Sequence, residues 1–192
     1  MNGTLLVGLG LTFVVVSLIG YVVGLYNTLV RLSNNVDKAW SNIDVILKQR
    51  RDELPKLVQV CNSYMRHERE TLESVTNARS AYGRSTSVND KAKAENQLTS
   101  ALGRLFAVAE QYPDLKANQQ FLIAQQRISA LENTIADRRE FYNDSVNLYN
   151  ISIEQIPAVW VAQQIGYPAR PLLAVAQSER ADVELAFANR AA

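Results

Sequence analysis

One cysteine, one histidine and five prolines in 192 residues set the first limits on this chain. With Cys61 alone, no internal disulfide forms and a structural zinc site lacks its thiolates. His67 has Thr71, not a second histidine, four residues on, so a zincin helix is excluded. Tyr64 stands where the glutamate of a Glu-x-x-His di-iron pair belongs, which removes that bundle chemistry as well. Gly83 and Gly103 are isolated, so no glycine loop cradles phosphate. Neither sign of charge prevails: 20 basic and 19 acidic side chains leave +1, which does not suggest nucleic acid as a partner. The period-two pattern of a strand appears nowhere. No catalytic, cofactor-binding or metal-ligating residue is assigned.

Side-chain charge is also missing from Met1 to Val30, and there the absence is informative. Leu5 to Leu25 is almost wholly apolar, and about 20 such residues suffice to cross the bilayer core as a helix. A cleaved signal peptide would need a basic leading region and an A-x-A-like site; neither is present, so residues 1–25 read as a retained transmembrane anchor. Arg31 and Lys38 follow the span while no Lys or Arg precedes it, which places the C-terminal domain in the cytoplasm. Gly20 and Gly24 form a GxxxG that lets two spans approach closely.

Beyond the anchor, the pattern is helical throughout. From Val36 to Tyr64, apolar residues at Val36, Trp40, Ile43, Leu47, Leu54, Leu57, Cys61 and Tyr64 draw one stripe. The run KQRRDELP, basic and then acidic with Pro55 beyond, predicts a helix boundary near Arg51. A second helix is expected over Glu53–Tyr82, burying Leu57, Cys61, Tyr64, Leu72 and Val75; the loop GRSTSVND follows. A third, over Lys91–Gln111, carries Ala94, Leu98, Leu102, Leu105 and Ala109 on one face. A fourth, over Leu115–Ile156, carries Leu122, Ile128, Leu131, Ile135, Tyr142, Val146, Tyr149 and Ile153. The fold class is therefore all-α: one transmembrane helix, then an antiparallel long-helix bundle of about four helices over residues 26–157. Trp40, Leu47, Leu57, Leu102 and Ile135 are the expected core, with Cys61 packed among them. Residues 158–192 form a variable tail, partly helical or partner-dependent, with a patchy apolar face at Leu172, Val175, Val183 and Phe187.

Two polar sets stand out. Asp37, Asp44 and Arg51 recur every seven residues beside Trp40, and the pairs Tyr142-Asn143 and Tyr149-Asn150 repeat at the same spacing. They form either a polar binding groove or inter-helix pairs that fix register. Gly20, Gly24, Trp160 and Tyr167 are the candidates for self-association, since the segment after Pro157 carries apolar side chains that a bundle need not cover.

The stretch VDKAWSNIDVILKQRRDELPKLV, then YMRHERETLESVTNARSAY, AENQLTSALGRLFAVAEQYPDLKANQQFL and RREFYNDSVNLYNISIEQIP, resembles the bacterial LemA family from Tyr26 to Pro157. After Pro157 the chain departs from the aromatic, Gly-Phe-containing pattern of that family. The resemblance implies an N-terminal membrane helix, an antiparallel helical bundle at the bacterial inner membrane and no defined reaction. A magnetosome branch of the family implies a part in shaping or organising membrane. The expected function is a non-catalytic, membrane-anchored scaffold or interaction protein that self-associates, with the lipid bilayer and further copies as partners and no cofactor. The alternative is a membrane-remodelling factor; a hydrolase using bundle carboxylates is a third, weaker reading.

Overall fold

The computed structural model describes residues 2–173, which form six helices and, among the described residues, no strand. The first, α1, runs unbroken over Asn2–Tyr64, 63 residues that span the apolar segment and continue into the domain. At about 1.5 Å per residue it is roughly 95 Å long. The helix boundary expected near Arg51 is absent. Pro55 lies inside α1, where its ring removes a donor and frees the carbonyl of Arg51 four residues earlier. Arg79 Nε donates to that carbonyl at 3.3 Å, so the gap in the ladder is filled from another helix.

Helix α1 ends instead at Met65–Glu68, a turn that no glycine or proline marks. Met65 is fully buried there and Tyr112 Oη donates to Glu68 Oε1 at 3.0 Å, so tertiary contacts hold the reversal. The expected second helix is thus divided between α1 and α2 (Arg69–Arg84), and Tyr64, expected inside, is exposed at the turn. Next come α3 (Val88–Ala109), the single turn α4 (Pro113–Lys116), α5 (Gln119–Glu154) and α6 (Ala158–Ile165). Caps explain the shifted starts. Ser87 accepts from the Asp90 amide at the head of α3, and Asn118 Oδ1 accepts from the Gln120 and Phe121 amides at the head of α5.

Helix α5 lies along α1, and α2 pairs with α3. The pairs Trp40–Tyr142, Arg50–Glu132, Glu53–Arg127 and Tyr64–Asn118 rise along α1 as they fall along α5. Two apolar clusters result. The one nearer the span gathers Leu29, Val36, Ile43, Leu47, Ile135, Tyr142, Val146 and Tyr149. The farther one gathers Leu54, Leu57, Cys61, Met65, Leu72, Leu98, Leu102, Leu105 and Phe121. Each buried leucine contributes about 1.5–3 kcal/mol. Leu47, Leu57, Leu102 and Ile135 are buried as expected, and burial pushes the Cys61 thiol up to about 12, so it is packed rather than reactive.

Trp40 is only half-buried. One edge meets Tyr142 at 6.0 Å between centroids, and Lys91 Nζ lies 5.8 Å from the ring centroid. Its indole bridges core and rim, a position that suits a ring with a polar nitrogen. Leu122 is exposed and Leu131 half-buried, because the long α5 turns those positions away from α1.

The apolar side chains from Leu5 to Val23, such as Leu9, Phe13 and Leu18, are exposed. By length and composition this part of α1 is fit to cross a membrane. After α6 the chain continues outside any helix or strand from Tyr167 to Leu173, packed along α5 by hydrogen bonds to Tyr142, Asn143, Tyr149 and Asn150. Leu172 is exposed; Val175, Val183 and Phe187 lie outside the described residues.

Candidate functional site

The two tyrosine–asparagine pairs share one face of α5 because seven residues are nearly two helical turns. That face holds the segment 167–173, hereafter the strap. Asn150 donates from Nδ2 to the Arg170 carbonyl at 2.9 Å and accepts the Arg170 amide on Oδ1 at 2.9 Å. Asn143 repeats this with Leu173, donating to its carbonyl at 3.1 Å and accepting its amide at 2.9 Å. Tyr149 Oη donates to the Pro168 carbonyl at 3.0 Å and Tyr142 Oη to the Pro171 carbonyl at 3.3 Å. Burial pushes both phenols up from their ordinary values, so they stay protonated donors at neutral pH.

Side chains complete the seat. Arg170 reaches α1, pairing with Asp37 at 3.2 Å and donating to Ser33 Oγ at 3.4 Å. Leu173 is buried in the cluster nearer the span, and the Tyr167 ring lies 6.2 Å from that of Tyr149 at 53°. The four α5 residues therefore act together on the backbone of their own chain, while Asp37 holds the Arg170 side chain. Tyr142 also meets Trp40 edge to face, so it ties α5 to α1 as well.

Asp44 and Arg51 belong to a second group. Asp44 accepts from Lys91 Nζ at 2.6 Å and from Tyr82 Oη at 3.0 Å, while the Arg51 guanidinium lies 5.8 Å from the Tyr82 ring centroid. Lys91 above all holds the Asp44 carboxyl below its usual range, with Tyr82 and Arg51 adding to it against burial. Here the pairing of α1 with α2 and α3 is what these residues serve.

Between the two apolar clusters lies a charged layer that sequence reasoning missed. Arg50 is 1% exposed, pairs closely with the equally buried Glu95 and reaches Glu132 at 3.1 Å and Thr99 at 3.2 Å. Its Nε has no partner among the described residues. Burial raises the pKa of both carboxyls, and the Arg50 charge pulls each back down. The signal was present: Arg50 falls between Leu47 and Leu54 on the apolar stripe, where a solvated charge does not belong.

Gly20 and Gly24 have open space where a Cβ would stand. By the helix period they lie on the side of α1 away from Leu18, Val22 and Leu25. Those three, with Tyr21, Trp160 and Ile165, line an apolar cleft of about 560 Å³ between α1 and α6. Trp160 is 63% exposed at its edge, while Tyr167 is half-buried on Tyr149.

Comparison with known proteins gives one consistent answer. The LemA family model matches residues 39–187, so the likeness continues past Pro157, where the sequence reading had ended it. Protein LemA of Metamycoplasma hominis is 31% identical over 163 residues, 84% of this chain and 74% of that protein. Magnetosome protein MamQ 2 of Paramagnetospirillum magneticum is 36% identical over 74 residues, 38% of this chain but 27% of its own length. MamQ of Magnetospirillum gryphiswaldense is 32% identical over 74 residues, with the same shares. The extent of the family match and the all-helical architecture together show that this chain belongs to the LemA family.

Proposed function

We propose that this chain is a non-catalytic scaffold or interaction protein of the bacterial inner membrane, anchored by residues 1–25 and assembled from several copies. The observation that carries the reading is the tyrosine–asparagine face of α5, whose hydrogen bonds all go to neutral peptide backbone. That is the chemistry of holding a chain, and no group there is poised to transfer anything. The opposed order of pairs along α1 and α5 supports an antiparallel bundle. Its unbroken α1 would fix the domain rigidly to the span.

Self-association is supported by two free faces. Gly20 and Gly24 leave room for a second span. Phe141, Leu148 and Ile151 share an outer face of α5 and are about half exposed. Mass measurement of the full chain in nanodiscs should find an oligomer that weakens in Gly20→Leu/Gly24→Leu or in Phe141→Glu/Leu148→Glu. A monomer in all three samples at membrane-like concentration ends this reading. Sidedness rests on Arg31 and Lys38. A reporter fused after Ala192 should behave as cytoplasmic, and a periplasmic signal would refute it.

A second reading, membrane organisation, is favoured by α6. Its exposed Trp160 sits beside Tyr21 and Tyr26, where the span leaves the bilayer, a depth that suits an indole. The magnetosome proteins align with this chain over only part of their length, so they lend it limited weight. Electron microscopy of the same reconstituted protein on vesicles separates the two: tubulated or clustered vesicles support remodelling, and unchanged vesicles leave the scaffold.

A further inference from the structure

The strap is seated in a way that does not depend on its belonging to this chain. Burial along it repeats every third residue. Tyr167, Arg170 and Leu173 face the bundle, while Pro168, Ala169, Pro171 and Leu172 are exposed. A period of three with two prolines is the signature of a polyproline II helix. The spacings agree. Seven residues of α5 advance about 10.5 Å and three residues of such a helix about 9.3 Å, so each Tyr-Asn pair meets the next turn of the strap.

The hydrogen bonds also explain where proline is allowed. Pro168 and Pro171 offer only their carbonyls, which the tyrosine hydroxyls take. Arg170 and Leu173 offer both amide and carbonyl, which the asparagines take together. One heptad toward the N-terminus stand Ile135 and Ala136, and one heptad toward the C-terminus Ile156 and Pro157, so the ladder has two rungs. Main-chain contacts of this kind give affinity without regard to sequence, and selection is left to the three inward side chains. Asp37 selects a basic residue and the pocket under Leu173 an aliphatic one.

Resting on the scaffold reading above, we propose that the Tyr142-Asn143/Tyr149-Asn150 face of α5, with Asp37 of α1, is a docking groove for a partner's proline-rich extended peptide of the form aromatic-Pro-x-Arg-Pro-x-aliphatic. The chain's own strap is the resident occupant that such a peptide displaces. Displacement is feasible because only Leu173 of the seven strap residues is buried, which places the strap among the weakly held parts of the fold. Gly166, at φ 71 the one positive-φ residue among the described residues, sets the turn at which the strap leaves α6.

The test uses the full chain in nanodiscs and a fluorescein-labelled, end-capped peptide of sequence YPARPLL, read by anisotropy. Arg170→Ser/Leu173→Ser frees the groove. The freed protein should bind the peptide saturably, and the wild type at least about tenfold more weakly, as expected if the strap fills the groove nine-tenths of the time. Asn143→Leu/Asn150→Leu in the freed protein should abolish binding. Asp37→Arg should abolish it too, and a peptide with aspartate in place of its arginine should restore it, which a misfolded protein cannot do. Equal binding of a YAAAALL control, no gain on freeing the strap, or no rescue by the swapped charge overturns the proposal. An oligomer of the wild type that the two asparagine substitutions dissolve would put a second copy's strap in the groove and overturn the assignment to a separate partner. If the peptide fails while the oligomer of the preceding section is found, the groove is a fixed clamp and the scaffold reading stands. If both fail, both fall.

Discussion

Arg50→Met should lose about 3–5 kcal/mol of stability at neutral pH, measured by urea unfolding of the full chain in detergent. The cost does not come from a lost attraction alone. Glu95 is 2% exposed and Arg50 is its close partner, so the substitution leaves a buried carboxylate with only the weaker pull of Arg139. Glu132 is 29% exposed and can turn to water. The double variant Arg50→Met/Glu95→Met removes both charges and should recover to within about 1 kcal/mol of the parent, since apolar replacement of a whole buried pair is close to neutral.

The pH dependence separates this account from simple loss of packing. Burial already raises the Glu95 pKa above 4.5, and Arg50 is the first group pulling it back, so removing Arg50 raises it further. A carboxyl with a raised folded pKa contributes stability that is full below its unfolded value and lost as pH rises through the folded one. The deficit of Arg50→Met should therefore shrink as pH falls from neutrality toward 4.5. A deficit that is flat across that range, or a double variant as weak as the single, would show that the layer acts by shape and not by charge.

This layer also shows why some of the architecture was legible and some was not. The apolar span and the stripes on α1, α3 and α5 follow from composition and period, and most of those positions are buried as expected. The charges at Arg50 to Glu53 were misread because a basic-to-acidic switch has two causes with one appearance. It marks a helix boundary when its groups serve helix ends, and a helix interior when they serve neighbours on α3 and α5. Pro55 is tolerated for the same reason, since Arg79 on α2 supplies a donor to the freed Arg51 carbonyl. Nothing local announces the reversal at Met65, which tertiary contacts hold. The tyrosine–asparagine face was visible as a repeat, but its occupant was not. The strap has a period of three, and a search for periods of two and 3.6 passes over it.

Tyr149 tests how that occupant is coupled to the core, because its ring and its hydroxyl have separate duties. The ring is fully buried among α1, α5 and the strap, and the hydroxyl donates to Pro168. Tyr149→Ala should cost about 3–5 kcal/mol of global stability, the usual price of a large-to-small change in a packed core. Tyr149→Phe keeps the ring and deletes one hydrogen bond worth about 0.5–1.5 kcal/mol. Pro168 is exposed, so water can take over its carbonyl. The loss in Tyr149→Phe should therefore fall on the strap alone. Amide exchange reads it directly, since the Arg170 and Leu173 amides are the ones the asparagines hold. Both should exchange up to about tenfold faster in Tyr149→Phe, while amides in the middle of α5 are unchanged. If the amides of α5 accelerate as much as those of the strap, strap and core open as one unit. A resident segment that leaves only when the whole domain unfolds could not be displaced by a partner.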